Sequence, residues 1–252
     1  MPRVKAFAVG LVLVLGLCAG PVSAGQTHVA VAANFTDAAK EIAAAFKQRS
    51  GHDAVLSFGS SGQLSTQITQ DAPFQIFLSA DDERPKKLVD EGLGVAASRF
   101  TYAIGKLVLW SRADGLVTGE ATLSAGAFHK IALANPAAAP YGGAAIEAMK
   151  AMKLYDRLAP KIVQGASIAQ AFQFIDTGNA ELGFVAASQL IGAERGSRWI
   201  VPQELYAPIR QDAVLLKKAA GHDAALAFMA FLKGPEARAI IATFGYASDS
   251  GS

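Results

Sequence analysis

The chain alternates between short apolar runs and longer stretches in which apolar residues recur at helical spacing. The first clear unit joins a β-branched run at 28–33 to a stretch at 35–46 whose apolar residues share one helical face. Asn34 lies between them, where a helix cap is expected, and Gly51 is a residue type that ends helices. The sequence therefore predicts a strand that leads directly into a helix.

The same unit recurs along the chain. Further strands are predicted at 54–58, 74–78, 107–110, 131–134, 161–163, 182–185 and 213–216. Helices are predicted at 64–69, 82–91, 141–155, 167–175, 223–232 and 235–244. Strands that alternate with helices indicate parallel α/β sheets, whose ligands bind where strands end and helices begin.

Four of these strand-to-helix junctions are rich in small or neutral polar residues. They are Ala33-Asn34, Ser60-Ser61, Pro140-Tyr141-Gly142 and Ser167-Ile168. A helix start carries unpaired N–H groups and a partial positive charge, so it binds anions without a cationic side chain. The four junctions contain no Lys, Arg or Asp, which favours a fully ionised anion. Each junction taken alone is also typical of an ordinary cap or turn, so the pattern leaves open whether the four meet.

The first 24 residues have the pattern of an export signal. Arg3 and Lys5 precede an uncharged apolar stretch at 6–19, which is shorter than the ~20 residues of a membrane-spanning helix, and small residues follow up to Ala24. We expect cleavage after Ala24. Lipidation of Cys18 is the less favoured alternative, because a large leucine precedes this cysteine.

Cleavage would leave a mature chain with 21 basic and 21 acidic residues and without the single cysteine. A nucleic-acid-binding protein would be expected to carry a basic patch, so no nucleic-acid partner is predicted. The absence of thiols is compatible with an oxidising compartment.

Catalytic and metal-binding patterns are weak. The segment Gly59-Ser60-Ser61-Gly62 is not the Gly-x-Ser-x-Gly turn of hydrolases, and the four histidines lack the spacing of metal ligands. Neither a dinucleotide-binding loop nor a Walker loop follows any predicted strand. The sequence therefore predicts no enzyme activity, no cofactor and no bound metal cation.

Several segments resemble the molybdate/tungstate-binding proteins of bacterial importers. They are Val31-Ala32-Ala33-Asn34-Phe35, Ser57-Phe58-Gly59-Ser60-Ser61-Gly62, the stretch from Ala72 to Asp81, the stretch from Arg99 to Trp110, and the stretch from Phe231 to Tyr246. The resemblance covers essentially the whole mature chain. It implies a type II periplasmic-binding fold of two lobes, each a mostly parallel sheet flanked by helices. The first lobe would comprise 25–104 and 207–252, and the second 105–206.

The resemblance also implies the ligand and its contacts. Neutral donors hold the oxyanion in this family, and they map to Asn34 and Ser61 of the first lobe and to Tyr141 and Ile168 of the second. Ala33 would add a contact, and Tyr141 and Ile168 would act through their backbone N–H groups. The implied function is capture of molybdate or tungstate in the periplasm. A monomer would deliver the anion to a membrane permease driven by a cytoplasmic ATPase.

Three departures from the family pattern leave the coordination and the molybdate/tungstate preference open. Asn34 stands where many members have serine, and Ala186 stands where some have a tyrosine hydroxyl donor. A common aspartate is replaced by Gln75, and a glycine by Asp71.

Three alternative functions remain. A protein of this fold could bind sulfate, thiosulfate, phosphate or another oxyanion instead. A secreted hydrolase could use Ser60 or Ser61, although the sequence supplies no base for either serine. The effector domain of a transcription regulator shares the fold, but the export signal and the lack of a DNA-binding domain oppose this alternative.

Overall fold

The computed structural model describes residues 24–193 and 195–248. The predicted export signal lies outside the described residues, except for Ala24. Within the described part, the strands are Gln26–Ala32 (β1), Asp53–Gly59 (β2), Ile76–Leu78 (β3), Phe100–Gly105 (β4), Leu107–Ser111 (β5), Ile131–Ala134 (β6), Ile162–Gly165 (β7), Leu182–Ala186 (β8), Ser197–Ile200 (β9) and Ile209–Leu215 (β10). The α-helices there are Thr36–Ser50 (α1), Ser61–Thr69 (α2), Glu83–Asp90 (α3), Glu120–Ala125 (α4), Pro140–Ala151 (α5), Tyr155–Leu158 (α6), Ile168–Asp176 (α7), Asp223–Lys233 (α8) and Pro235–Thr243 (α9).

The strands form two five-stranded sheets. The first has the order β2-β1-β3-β10-β4, and the second has the order β7-β6-β8-β5-β9. In the first sheet β10 runs antiparallel to both of its neighbours, and in the second sheet β5 does. The other four strands of each sheet share one direction. The predicted fold class, two mostly parallel sheets flanked by helices, is confirmed.

The chain crosses between the sheets twice. It leaves the first sheet after β4 and enters β5 one residue later, and it returns to the first sheet at β10. The strand pairing therefore supports the proposed division into a first lobe of 25–104 and 207–252 and a second lobe of 105–206. We use these two names below.

The main differences from the sequence-based expectation lie at the sheet edges and in one helix. Strands β4 and β9 were not predicted, and both lie at the edge of their sheet. The residues of β4 are half-buried or buried, whereas those of β9 alternate between half-buried and exposed positions. No α-helix lies between either strand and the next strand, so the strand-helix repeat that marks most of the others is missing. The helix expected at 141–155 ends at Ala151, and α6 follows separately.

Packing in the interior of the first lobe fixes the position of the carboxyl end of β1. Val29 and Val31 of β1 pack on one face of the sheet and Ala30 on the other, so the strand is buried on both sides. Helix α1 packs on the first of these faces through Phe46, whose ring lies 5.1 Å from that of Phe228 in an edge-to-face contact. As predicted, Gly51 ends α1 in the left-handed conformation, with φ of 75°. The carboxyl end of β1 is therefore rigidly placed.

Among the described residues, no helix is long and apolar enough to cross a membrane.

Candidate oxyanion-binding site

The helix starts singled out in the sequence surround one small cavity between the lobes. Its lining consists of Ala32, Ala33, Asn34, Ser60, Ser61, Ala80, Ala139, Pro140, Tyr141 and Ile168. All five predicted site residues belong to this lining, and their exposed fractions lie between 1% and 8%. The cavity volume is about 10 Å³, close to the room that one water molecule occupies. The lining must therefore separate slightly to admit a tetrahedral oxyanion.

Residues at four helix starts line this cavity. Ser61 is the first residue of α2, and Ile168 is the first residue of α7. Tyr141 follows Pro140 at the start of α5, and Ala33 opens a 3-10 helix that continues into α1. The first N–H groups of a helix have no acceptor within it. They can therefore donate to a ligand in the cavity, with the partial positive charge of the helix ends behind them.

Only neutral groups line the cavity. None of its lining residues carries a charged side chain. Burial raises the pKa of the Tyr141 hydroxyl well above its usual value, so this group stays protonated and neutral. The cavity thus combines several donors with no carboxylate that could take a proton from a ligand.

The two serines of α2 have different tasks. Ser60 caps the helix: its Oγ accepts from the Gln63 N–H, and the Gln63 side chain accepts from the Ser60 N–H. The Oγ of Ser61 accepts from the Ala80 N–H at 2.9 Å. A hydroxyl that already accepts one bond retains its own hydrogen for donation. Among the described residues, no acceptor receives the Ser61 hydrogen, so it is available to a ligand.

Asn34 lies at the cavity but does not cap a helix, which corrects the sequence-based expectation. The helical segment begins at Ala33 with Ala32 as its N-cap, and no side chain makes a capping bond there. The Asn34 Nδ2 group instead donates to Gln211 Oε1 at 2.8 Å and to the Tyr246 hydroxyl at 3.0 Å. Both amide hydrogens are thereby directed into the protein. What Asn34 offers to the cavity is its backbone N–H, near the start of the helical segment.

A buried network of polar side chains behind Asn34 was missed by the sequence analysis. Gln211 is fully buried in β10, and Tyr246 is 7% exposed. The Tyr246 hydroxyl donates to the Asn34 carbonyl oxygen at 2.8 Å and lies 3.0 Å from Ser188 Oγ. The one sequence signal was the pair of polar residues Gln211 and Asp212, which follow Arg210 and precede the apolar end of the strand. Polar residues in a buried strand need hydrogen-bond partners.

The lobes touch directly at the rim of the cavity. The Gly62 N–H in α2 donates to the Ala138 carbonyl oxygen of the second lobe at 2.9 Å. Beside it, Arg84 Nη2 donates to the Ala137 carbonyl oxygen at 3.0 Å, while the same guanidinium pairs with Asp81. These contacts describe a closed arrangement of the two lobes.

Among the departures from the family pattern, Asn34 lines the cavity, whereas Ala186, Gln75 and Asp71 lie outside its lining. Ala186 is fully buried at the end of β8, and its N–H donates to the Gln189 side chain at 2.9 Å. The Gln75 side chain accepts from the His28 N–H at 2.8 Å and so ties β1 to the segment before β3. Asp71 is exposed and pairs with Lys218 at 2.9 Å. The last three substitutions therefore leave the wall of the cavity unchanged.

In the described ranges, the structure contains no group of three or more His, Cys, Asp or Glu residues arranged to hold a metal ion.

Comparisons with known proteins agree with this architecture. A family model described as bacterial extracellular solute-binding protein matches residues 27–247. The molybdate-binding protein ModA of Rhodobacter capsulatus is 54% identical, over 97% of this chain and 97% of that protein. The ModA protein of Azotobacter vinelandii is 50% identical, over 92% of this chain and 93% of that protein.

The fold also matches a solved structure. The Azotobacter vinelandii periplasmic molybdate-binding protein superimposes with a TM-score of 0.86 at 41% identity, over 89% of this chain and 100% of that one. The resemblance inferred from the sequence is thereby confirmed. The chain belongs to the bacterial extracellular solute-binding protein family, in the group that includes the molybdate-binding proteins ModA.

Proposed function

We propose that this protein captures molybdate outside the cytoplasm and delivers it to an ABC-type importer. Two relatives that are at least 50% identical and match more than nine-tenths of the chain are both named molybdate-binding proteins. Another relative, from Bacillus subtilis, is named a putative ABC transporter substrate-binding lipoprotein, at 28% identity over 88% of this chain. Tungstate, which has the same charge and shape, is proposed as a second ligand.

The observation that carries the proposal is the neutral, donor-rich cavity between the lobes. Residues at four helix starts, among them Ser61, line a space without charged side chains. Such a site stabilises a fully ionised dianion through helix dipoles and hydrogen bonds. Hydrogen phosphate would bring a proton for which no carboxylate acceptor is present, at a cost of ~1–3 kcal/mol.

We assign the proposed contacts as follows. The first lobe would contribute the backbone N–H groups of Ala33, Asn34 and Ser61 together with the Ser61 hydroxyl. The second lobe would contribute the backbone N–H groups of Tyr141 and Ile168. The assignment keeps all five residues inferred from the sequence. Asn34 is given a backbone contact because both hydrogens of its side-chain amide are already used.

The rival functions have less support. Sulfate is also a fully ionised dianion, so it would have to be excluded by cavity size, because molybdate oxygens lie further from the central atom. A hydrolase would need a base beside its serine. The Ser60 side chain is hydrogen-bonded to Gln63 and the Ser61 side chain to Ala80, and neither partner is a base. A transcription-regulator domain is opposed by membership of an extracellular family.

The cellular setting follows from the same proposal. Residues 1–24 would direct export and be removed, and the mature protein would act in the periplasm as a monomer. Its partners would be a membrane permease and the cytoplasmic ATPase that drives it. No cofactor is proposed.

Calorimetry on ligand-stripped protein tests the proposed function. We expect tight binding of molybdate and tungstate, with sulfate and phosphate at least ~1000-fold weaker, a difference of about 4 kcal/mol. Sulfate binding within tenfold of molybdate would overturn the assignment. A generic ester offered to the same sample should remain uncleaved, and turnover would instead favour the hydrolase.

A further inference from the structure

A hydrogen-bond network centred on Gln211 links the cavity to the crossover between the lobes. Gln211 is fully buried at the irregularity where the pairing of β10 with β4 shifts register. Its Oε1 atom accepts from Asn34 Nδ2 at 2.8 Å and from the Tyr102 hydroxyl at 3.2 Å. Its Nε2 atom donates to the Tyr141 hydroxyl at 3.2 Å. One side chain thus contacts residues at the cavity from both lobes.

Among these three bonds, the one to Tyr141 joins the lobes. Asn34, Tyr102 and Gln211 belong to the first lobe, whereas Tyr141 belongs to α5 of the second. The bond is therefore one of the contacts between the lobes in the closed arrangement. The bonds from Asn34 and Tyr102 hold the Gln211 amide in place within the first lobe.

The crossover is shaped to accommodate this contact. Gly105 is the last residue of β4, immediately before the chain enters the second lobe. A β-carbon at this position would overlap the Tyr141 hydroxyl and lie 2.7 Å from Gln211 Nε2. The absence of a side chain at Gly105 therefore provides the space in which Tyr141 and Gln211 make contact.

A second link lies nearby. Ser188 of the second lobe donates to the Asn34 carbonyl oxygen at 2.8 Å, and its Oγ atom lies 3.0 Å from the Tyr246 hydroxyl. Both contacts between the lobes therefore involve a residue that lines the cavity: Tyr141 in the first and Asn34 in the second. Closure of the lobes and formation of the anion site are therefore one structural event.

We propose that Gln211 is a positioning residue of the oxyanion site, which acts by holding Tyr141 in the closed arrangement. The inference rests on the proposed function. The backbone N–H of Tyr141 faces the anion while its side chain bonds to Gln211, so the two contacts form together. A ligand that binds the closed form better shifts the lobes toward that form. The Tyr141–Gln211 bond adds to the stability of the same form.

The test compares two tyrosines that bond to the same glutamine. Tyr141→Phe removes the bond between the lobes and keeps the ring and the backbone N–H. Tyr102→Phe removes the bond to Gln211 within the first lobe, together with the bond from the same hydroxyl to the Ser79 carbonyl oxygen at 2.9 Å. For each variant we would measure the molybdate Kd, the dissociation rate, and the Tm of the stripped and the molybdate-loaded protein.

Tyr141→Phe should weaken molybdate binding about threefold to tenfold, the effect of one net hydrogen bond, mainly through faster dissociation. It should lower the Tm of the loaded protein and leave that of the stripped protein unchanged, because the bond is absent when the lobes are open. Tyr102→Phe should lower both Tm values equally. Gln211→Met, in protein shown to be folded by circular dichroism, should weaken binding no less than Tyr141→Phe, and the double variant should add no further loss beyond Gln211→Met alone.

Wild-type affinity in Tyr141→Phe, or an equal fall of both its Tm values, would overturn the role of Gln211 while leaving the proposed function intact. Failure of the wild-type protein to bind molybdate would overturn the proposed function and this inference with it.

Discussion

The two lobes contribute to the proposed site in different ways. The first lobe offers a side-chain donor, the Ser61 hydroxyl, whose oxygen is fixed by the Ala80 N–H. The second lobe offers backbone N–H groups, and its side chains are used elsewhere: Ile168 packs in the core, and the Tyr141 hydroxyl contacts Gln211. Anion binding should therefore depend on side-chain chemistry in the first lobe and on the position of the main chain in the second.

The largest effect is expected from Ser61→Ala. It removes a hydroxyl that donates to a charged ligand, at a cost of ~1.5–3 kcal/mol, or roughly tenfold to hundredfold in molybdate Kd. Calorimetry provides the measurement. Ser65→Ala, on the same helix but outside the cavity lining, serves as the control. Equal affinities in the two variants would show that the side chain of the first lobe has been wrongly placed at the anion.

Ile168→Pro tests the second lobe by removing a backbone donor, and it also replaces a side chain that packs in the core. Proline is tolerated at the first position of a helix, and Ser167 before it is already extended, with φ of −144° and ψ of 169°. We expect a loss of ~1.5–3 kcal/mol in molybdate binding, because a charge-assisted bond disappears. Ile168→Val keeps the N–H and should bind almost like wild type. A large loss in the valine variant would mean that the side chain itself takes part.

Gly62→Ala tests whether binding needs the close approach of the lobes. A β-carbon at Gly62 would lie 2.9 Å from the Ala138 Cα atom of the second lobe. Overpacking of this kind costs ~1–3 kcal/mol, and here it destabilises only the closed form, in which the two lobes meet. Molybdate binding should therefore weaken about fivefold to hundredfold. Gly143→Ala on α5 is the control, since nothing lies within 4 Å of that position. Both variants should have the Tm of the wild type when stripped of ligand, and a fall in the Gly62→Ala value would indicate damage within a lobe.

Asn34→Ala should have the smallest effect on affinity and a clear effect on stability. It removes the amide donor to the Tyr246 hydroxyl and one of the two donors to Gln211 Oε1, which costs ~1–3 kcal/mol of folding free energy. The backbone N–H remains, so the molybdate Kd should change only a few-fold. Thermal unfolding of the stripped protein measures the loss of stability, and calorimetry measures the molybdate Kd separately. A loss of affinity as large as that of Ser61→Ala would show that the amide contacts the anion after all.

The sequence predicted the parts of the fold that have a local signature. The strand-helix units and the four helix starts were found because apolar periodicity and capping residues are properties of neighbouring positions. Strands β4 and β9 were missed because edge strands next to an antiparallel neighbour lack a following helix and a continuous apolar run. Local signals reveal which segments open helices, and they also suggested, incorrectly, that Asn34 is a cap.

The network around Gln211 could not be predicted in the same way. Its members, Asn34, Tyr141, Ser188, Gln211 and Tyr246, come together only through the packing of both lobes. Side-chain hydrogen bonds between such distant positions leave no periodic trace in a single sequence. The polar pair at 211–212 indicates only that some buried partners exist.

Solution scattering of the stripped and the molybdate-loaded protein tests the central claim, that the anion is held between two lobes that close on it. The hinge is expected in the crossover segments at 102–106 and 207–210. A shift from 1:99 to 99:1 in favour of the closed form needs ~5.5 kcal/mol of differential affinity, which two or three charge-assisted bonds from the second lobe can supply. The account predicts a smaller radius of gyration on loading. An unchanged radius, with molybdate binding confirmed in the same sample, would contradict it.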